Sequence, residues 1–177
     1  MSALNAPKQH EDSPRFTLTS ADFKPNGTIQ MEQVFNGSSC TGKNISPALA
    51  WSGAPAGTKS FALLVHDPDA PTGGAGWWHW LVVNIPASAT ALAKDAGKAD
   101  GSNLPAGAVQ VGTDFGSPGW GGPCPPVGDE PHRYNFTLYA LKTDRLDVSG
   151  ASASLAGFMV NAYAIGKATL TGMFGRK

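Results

Sequence analysis

The chain has 177 residues, with 13 basic and 13 acidic side chains and a formal net charge of zero. That balance excludes the basic footprint of a nucleic-acid binder and offers no cationic face to anionic lipid. Charged residues are only 15% of the chain, while Gly (22) and Pro (14) are abundant, which points to a β-rich fold with long ordered loops rather than a helix bundle.

The length suits one domain, 1–177, with residues 1–14 as a loose N-terminal arm. That arm carries Lys8, His10, Glu11 and Asp12 and lacks the apolar core of a signal peptide. No apolar run approaches the ~20 residues that cross a bilayer. The expected localisation is cytoplasmic, with no transmembrane segment and no nucleic-acid partner.

In chain order, Phe16–Leu18 with Phe23 suggests a first strand, and Ile29–Phe35 alternates enough for a second. Gly37–Lys43 nearly matches a phosphate-binding loop. Position 44 is Asn, however, and Ile45-Ser46-Pro47 stands where the helix should begin, so the match is rejected. Ala48–Trp51 and Lys59–Val65 read as strands, with Phe61, Leu63, Val65 and Asp67 on one face. Asp67-Pro68-Asp69-Ala70-Pro71 follows, two carboxylates held by prolines that restrict their own φ and their neighbours. Trp78–Ile85 is the next strand, with Trp77, His79, Leu81 and Val83 expected on one face. Ala87–Asp100 suggests a helical turn or two, and Asn103–Val111 leads into a Gly/Pro loop over 112–126. Tyr134–Leu141 is a strand whose extension puts His132, Tyr134, Phe136 and Leu138 on one side and Arg133 on the other. Ser152–Ile165 is the one clear helix, with Leu155, Phe158, Met159, Ala162 and Ile165 near helical spacing. Gly166 is expected to end it and Ala168–Phe174 to form a final strand.

Cys40 and Cys124 are the only cysteines, without the spacing of a metal or redox motif. Two free thiols are the default in a reducing cytosol, and a disulfide is the alternative.

Four features can converge on one pocket: Asp67 with Asp69, His79, the Gly122–Pro126 loop, and His132 with Tyr134. Imidazoles and a phenol can donate hydrogen bonds to phosphoryl oxygens, and a Gly/Pro loop can aim backbone N–H groups at them. A carboxylate beside an imidazole raises its pKa, so Asp67 is expected to keep a histidine protonated. Arg133 is expected to clamp a carboxylate such as Asp69. Trp77, Trp78, Trp80 and Trp120 are either mouth or core residues. The alternative function is a hydrolase of phosphoesters or acyl esters using the same Asp/His pocket, with Cys124 near His132 as a candidate nucleophile. No spacing supports a metal site.

Phe61-Ala-Leu-Leu-Val-His-Asp-Pro-Asp-Ala-Pro-Thr72 followed by His79, and Gly122-Pro-Cys-Pro-Pro126 followed by His132-Arg-Tyr134, together resemble the phosphatidylethanolamine-binding protein family, also called Raf kinase inhibitor-like, in its bacterial branch. The resemblance implies a mainly β, antiparallel Greek-key β-sandwich with one helix near the C-terminus. It also implies a ligand pocket for phosphate-type anions or phosphoethanolamine-like head groups. By position Asp67, His79, His132, Tyr134, Pro125 and Pro126 would bind, supported by Asp69, Pro71, Trp78, Gly122, Cys124 and Arg133. It implies a small regulatory binding protein, more a kinase or protease modulator than an enzyme, with no cofactor, no metal and a homodimer among the states seen. A cis bond at Ala70-Pro71 is also implied. Raf-type inhibition is not carried over, because the chain stops at Lys177, just after the last strand.

Overall fold

The run Phe61–Val65 is continuously apolar because the strand that contains it, β3 (Ser60–Asp67), is covered on both faces. The computed structural model describes residues 15–177; the loose arm expected over 1–14 lies outside them. β3 is the centre of a five-stranded antiparallel sheet in the order β6-β4-β3-β7-β8. Its members are β4 (Trp77–Pro86), β6 (Val109–Gln110), β7 (His132–Leu141) and β8 (Ala164–Phe174). A smaller antiparallel sheet of β1 (Thr17–Thr19), β2 (Leu49–Ser52) and β5 (Ala91–Leu92) lies across one face. The helix α1 (Ala153–Tyr163) covers the other.

Two cores result. Phe61, Leu63 and Val65 of β3 and Tyr134, Phe136 and Leu138 of β7 pack towards the small sheet, meeting Leu18 and Trp51. Ala62 and Leu64 join Leu81, Val83 and the helix residues Ala153, Ala156 and Val160 on the opposite side. Each large apolar side chain buried this way stabilises the fold by about 1.5–3 kcal/mol.

The helix presents small residues to the sheet. Ser152 caps it by accepting the Leu155 N–H at 3.1 Å, and Gly157 sits where an added Cβ would meet the Trp78 ring at 3.5 Å. Leu155 and Phe158, expected on the buried face, are 50% and 73% exposed. The close approach to Trp78 leaves that face room only for small side chains. The helix also ends earlier than expected: Ala164 is already extended, and Gly166 lies inside β8 opposite Ala140.

Three more expectations fail locally. Ile29–Phe35 is not a strand. Its backbone turns, with the Gln33 N–H donating to Gln30 O and the Val34 N–H to Met31 O, so the apolar alternation of Ile29, Met31 and Phe35 is not expressed: Met31 is exposed and Val34, out of step with it, is buried. The helical turns expected in 87–100 give way to β5 and simple turns. In β4, Trp80 pairs with Val65 but Trp78 pairs with His66, so His79 is the extra residue of a bulge. A second irregularity near Asn84, whose φ is 58°, shifts the faces again. His79 therefore faces Tyr134, while Leu81 and Val83 face the helix.

Candidate functional site

β3 ends at Asp67, and the chain turns at Pro68 and Asp69 as it leaves the sheet, so the Asp67 carboxylate stays at the sheet's end. Its Oδ1 accepts the Asp69 N–H at 2.8 Å. His132 opens the neighbouring β7, and its Nδ1–H donates to Asp67 Oδ2 at 2.7 Å while its Nε2–H donates to Asp129 Oδ2 at 2.9 Å. With a carboxylate on each nitrogen the ring carries both protons. Burial opposes the charge, but the bonds to Asp67 and then Asp129 outweigh it, and the pKa rises above the ordinary histidine value.

Two residues beyond Asp67 and one beyond His132 the chemistry is different. Asp69 accepts the Arg133 backbone N–H at 2.8 Å and its Nε and Nη2 at 3.0 and 2.8 Å. That guanidinium fork lowers the Asp69 pKa to about 2.

His79 is buried beside the Gly-Pro loop, where its Nδ1–H donates to the Gly121 carbonyl at 2.6 Å. Burial lowers its pKa to about 4, so the imidazole is neutral. Tyr134, edge-on to His79 with ring centroids 5.1 Å apart, is 1% exposed. Its hydroxyl has no partner among the described residues. Burial, then the carboxylates of Asp67 and Asp69, push its pKa up, so it stays a phenol.

The loop over 121–126 is fixed from several sides. Asn44, at φ 53°, donates through Nδ2 to Trp120 O at 3.1 Å and accepts the Gly122 N–H at 2.8 Å. Gly122 must be glycine, because a Cβ there would lie 2.0 Å from Gln33 O. Arg176 Nε donates to Pro125 O at 2.7 Å. Cys124 is bonded to Cys40, with no free cysteine among the described residues. The expectation of two free thiols is thereby corrected: loops 84 residues apart are brought together by the fold. Cys124 is consequently no candidate nucleophile.

A cavity of about 310 Å³ is lined by Asp67, Pro71, His79, Cys124, Pro125, Pro126, His132 and Tyr134. Gly122, Asp69 and Arg133 stand behind this lining, and Trp78 points away, against His66 at 4.4 Å between ring centroids. Trp77 takes the wall position instead, with Phe35 and Phe115. No cis peptide occurs among the described residues, so Ala70-Pro71 is trans, the intrinsically favoured form. Sequence reasoning gave no site role to Asn44, Phe35, Phe115 or Asp129. Only the spacing of Asp129, three residues before His132, offered a local signal.

The model of the phosphatidylethanolamine-binding protein family matches residues 19–175. The Escherichia coli protein YbcL is 53% identical over 160 residues, 90% of this chain and 87% of its own. The Mycobacterium tuberculosis chain LppC, named as a candidate lipoprotein, is 40% identical over 136 residues, 77% of this chain and 63% of its own. The crystal structure of YbcL superposes with a TM-score of 0.89 at 52% identity, covering 92% of this chain and 99% of that one. A homologue from Chlamydia trachomatis superposes at 0.77 with 32% identity, covering 93% and 100%. With that match spanning most of its length, this chain belongs to the phosphatidylethanolamine-binding protein family.

Proposed function

We propose that the chain is a small binding protein whose cavity takes a phosphate-type anion or phosphoethanolamine-like head group. One observation carries the reading: the Tyr134 hydroxyl, buried at the cavity without a partner among the described residues. Leaving such a group unsatisfied costs about 1–3 kcal/mol, and a phosphoryl oxygen accepting its hydrogen bond would recover that. The His132 imidazolium supports the same reading by offsetting the Asp67 charge. The family description adds the ligand class. In the regulatory form of this proposal, occupancy alters binding to a kinase or protease target. Calorimetric titration of phosphoethanolamine tests it: Tyr134→Phe should weaken binding roughly 10-fold, about 1.4 kcal/mol. No heat with either protein would sink it.

The Cys40–Cys124 bond favours an oxidising compartment over the cytoplasm, and the lipoprotein name of LppC fits that setting. Among the described residues no helix is long and apolar enough to cross a membrane. Alkylation of protein taken directly from cells, followed by mass measurement, should show no modified cysteine. Double alkylation would return the chain to a reducing compartment.

A further inference from the structure

We propose that the cavity selects ligands that bring a proton of their own: phosphate monoesters in the singly protonated form, in preference to dianions, diesters or sulfate. This rests on the anion reading above and specifies which anion is taken.

Among the buried side-chain atoms lining the cavity, acceptors outnumber free donors; the Ser38 and Thr72 hydroxyls stand at its exposed rim. The Gly121 carbonyl can only accept, so the His79 proton sits on Nδ1 and Nε2 carries a lone pair. No donor among the described residues reaches that nitrogen. Each Asp67 oxygen receives one protein donor, the Asp69 N–H or His132 Nδ1–H, which leaves lone pairs on both. Against these stands the Tyr134 hydroxyl, among the described residues the one buried side-chain donor lining the cavity that lacks a partner. A fully deprotonated phosphate offers only lone pairs. It would accept from Tyr134 and meet Asp67 and His79 lone pair to lone pair. A P–O–H group donates to one of those acceptors while another phosphoryl oxygen accepts from Tyr134.

The surrounding charge gives a dianion no compensating pull. Asp67 and Asp69 at the end of β3, Asp114 near β4 and Asp129 before β7 face the same region as His132, Arg133 and Arg176. His66 also lies beside His79. Four carboxylates against three cations leave no positive surplus. The neutral state of His79, with its pKa held to about 4, keeps its lone pair available across the pH range tested.

The test is calorimetry on the whole protein with a ligand panel. Phosphoethanolamine should bind roughly 80-fold more tightly near pH 5.5 than near pH 8, following its singly protonated fraction for a second pKa of about 6. Methylphosphonate, with a higher second pKa, should move the midpoint of that dependence upward. Sulfate and dimethyl phosphate, which carry no O–H, should bind roughly 10- to 100-fold more weakly at the lower pH, the worth of one charge-assisted hydrogen bond. Vesicles containing phosphatidylethanolamine, a diester, should fail to displace phosphoethanolamine. Asp67→Asn replaces an acceptor by an N–H donor and should narrow the gap between sulfate and phosphoethanolamine. If that variant does not fold, the wild-type panel decides alone. Equal binding of sulfate or dimethyl phosphate, displacement by the vesicles, or one midpoint for ester and phosphonate would overturn the proposal and leave the anion reading standing. No binding by any phosphorus ligand removes both.

Discussion

Asp67 with His132 and Asp69 with Arg133 are two ion pairs built from the same two chain segments, two residues and one residue apart. The first pair has side chains 4% exposed on both sides; the second is 30% and 56% exposed. Extended backbone sends neighbouring side chains to opposite faces, so a single residue step on β7 separates a buried pair from a wet one. The buried pair has polarity to offer a cavity, and the wet pair ties the acid loop to β7. Similar charges thus do different work according to the water around them.

Removing one partner of the buried pair should have the largest effect. Asp67→Ala strands the Asp69 N–H and half-frees an imidazolium, and chemical denaturation should show a loss of about 4 kcal/mol. Reducing the Cys40–Cys124 bond loosens the loop that keeps water off His79 and the cavity. A loss of about 3 kcal/mol is expected on denaturation, with the fluorescence of Trp77 reporting wall motion.

Histidine titration sharpens the contrast further. His79 has its folded pKa lowered to about 4, so the unfolded chain binds the proton more readily. Stability should therefore fall as pH drops from about 6.5 to about 4, by about 3 kcal/mol in all, and His79→Gln should flatten that slope. His132, with its raised pKa, has the opposite sign. Its contribution is complete below about pH 6.5 and is lost as pH rises through its folded value. For the wet pair, Asp69→Ala should cost about 1 kcal/mol or less, and added salt should shrink that difference. A larger, salt-insensitive loss would show that solvent is not what separates the two pairs.

Much of the sheet was legible in sequence because burial on β3 and β7 follows the strand period: Phe61, Leu63 and Val65 share a core with Tyr134, Phe136 and Leu138. What escaped was decided elsewhere in the chain. The bulge at His79 breaks the period within β4 without any sequence mark. The helix face depends on how near Trp78 stands, which its own residues do not state. Ile29, Met31 and Phe35 alternate like a strand, yet the chain turns there and buries Val34 while exposing Met31. The cysteine pairing and the role of Asn44 depend on loops that meet only when folded.

The register of β3 against β7 pairs Ser60 with Leu141 and His66 with Asn135, and the Asp67–His132 bond closes a span of 65 residues. Contacts this distant form only after the chain has met the entropy of closing long loops. The cavity is therefore expected to form late in folding. A ligand that recognises the assembled cavity stabilises the native state by mass action alone. Saturating ligand should slow unfolding and leave the refolding rate where it was.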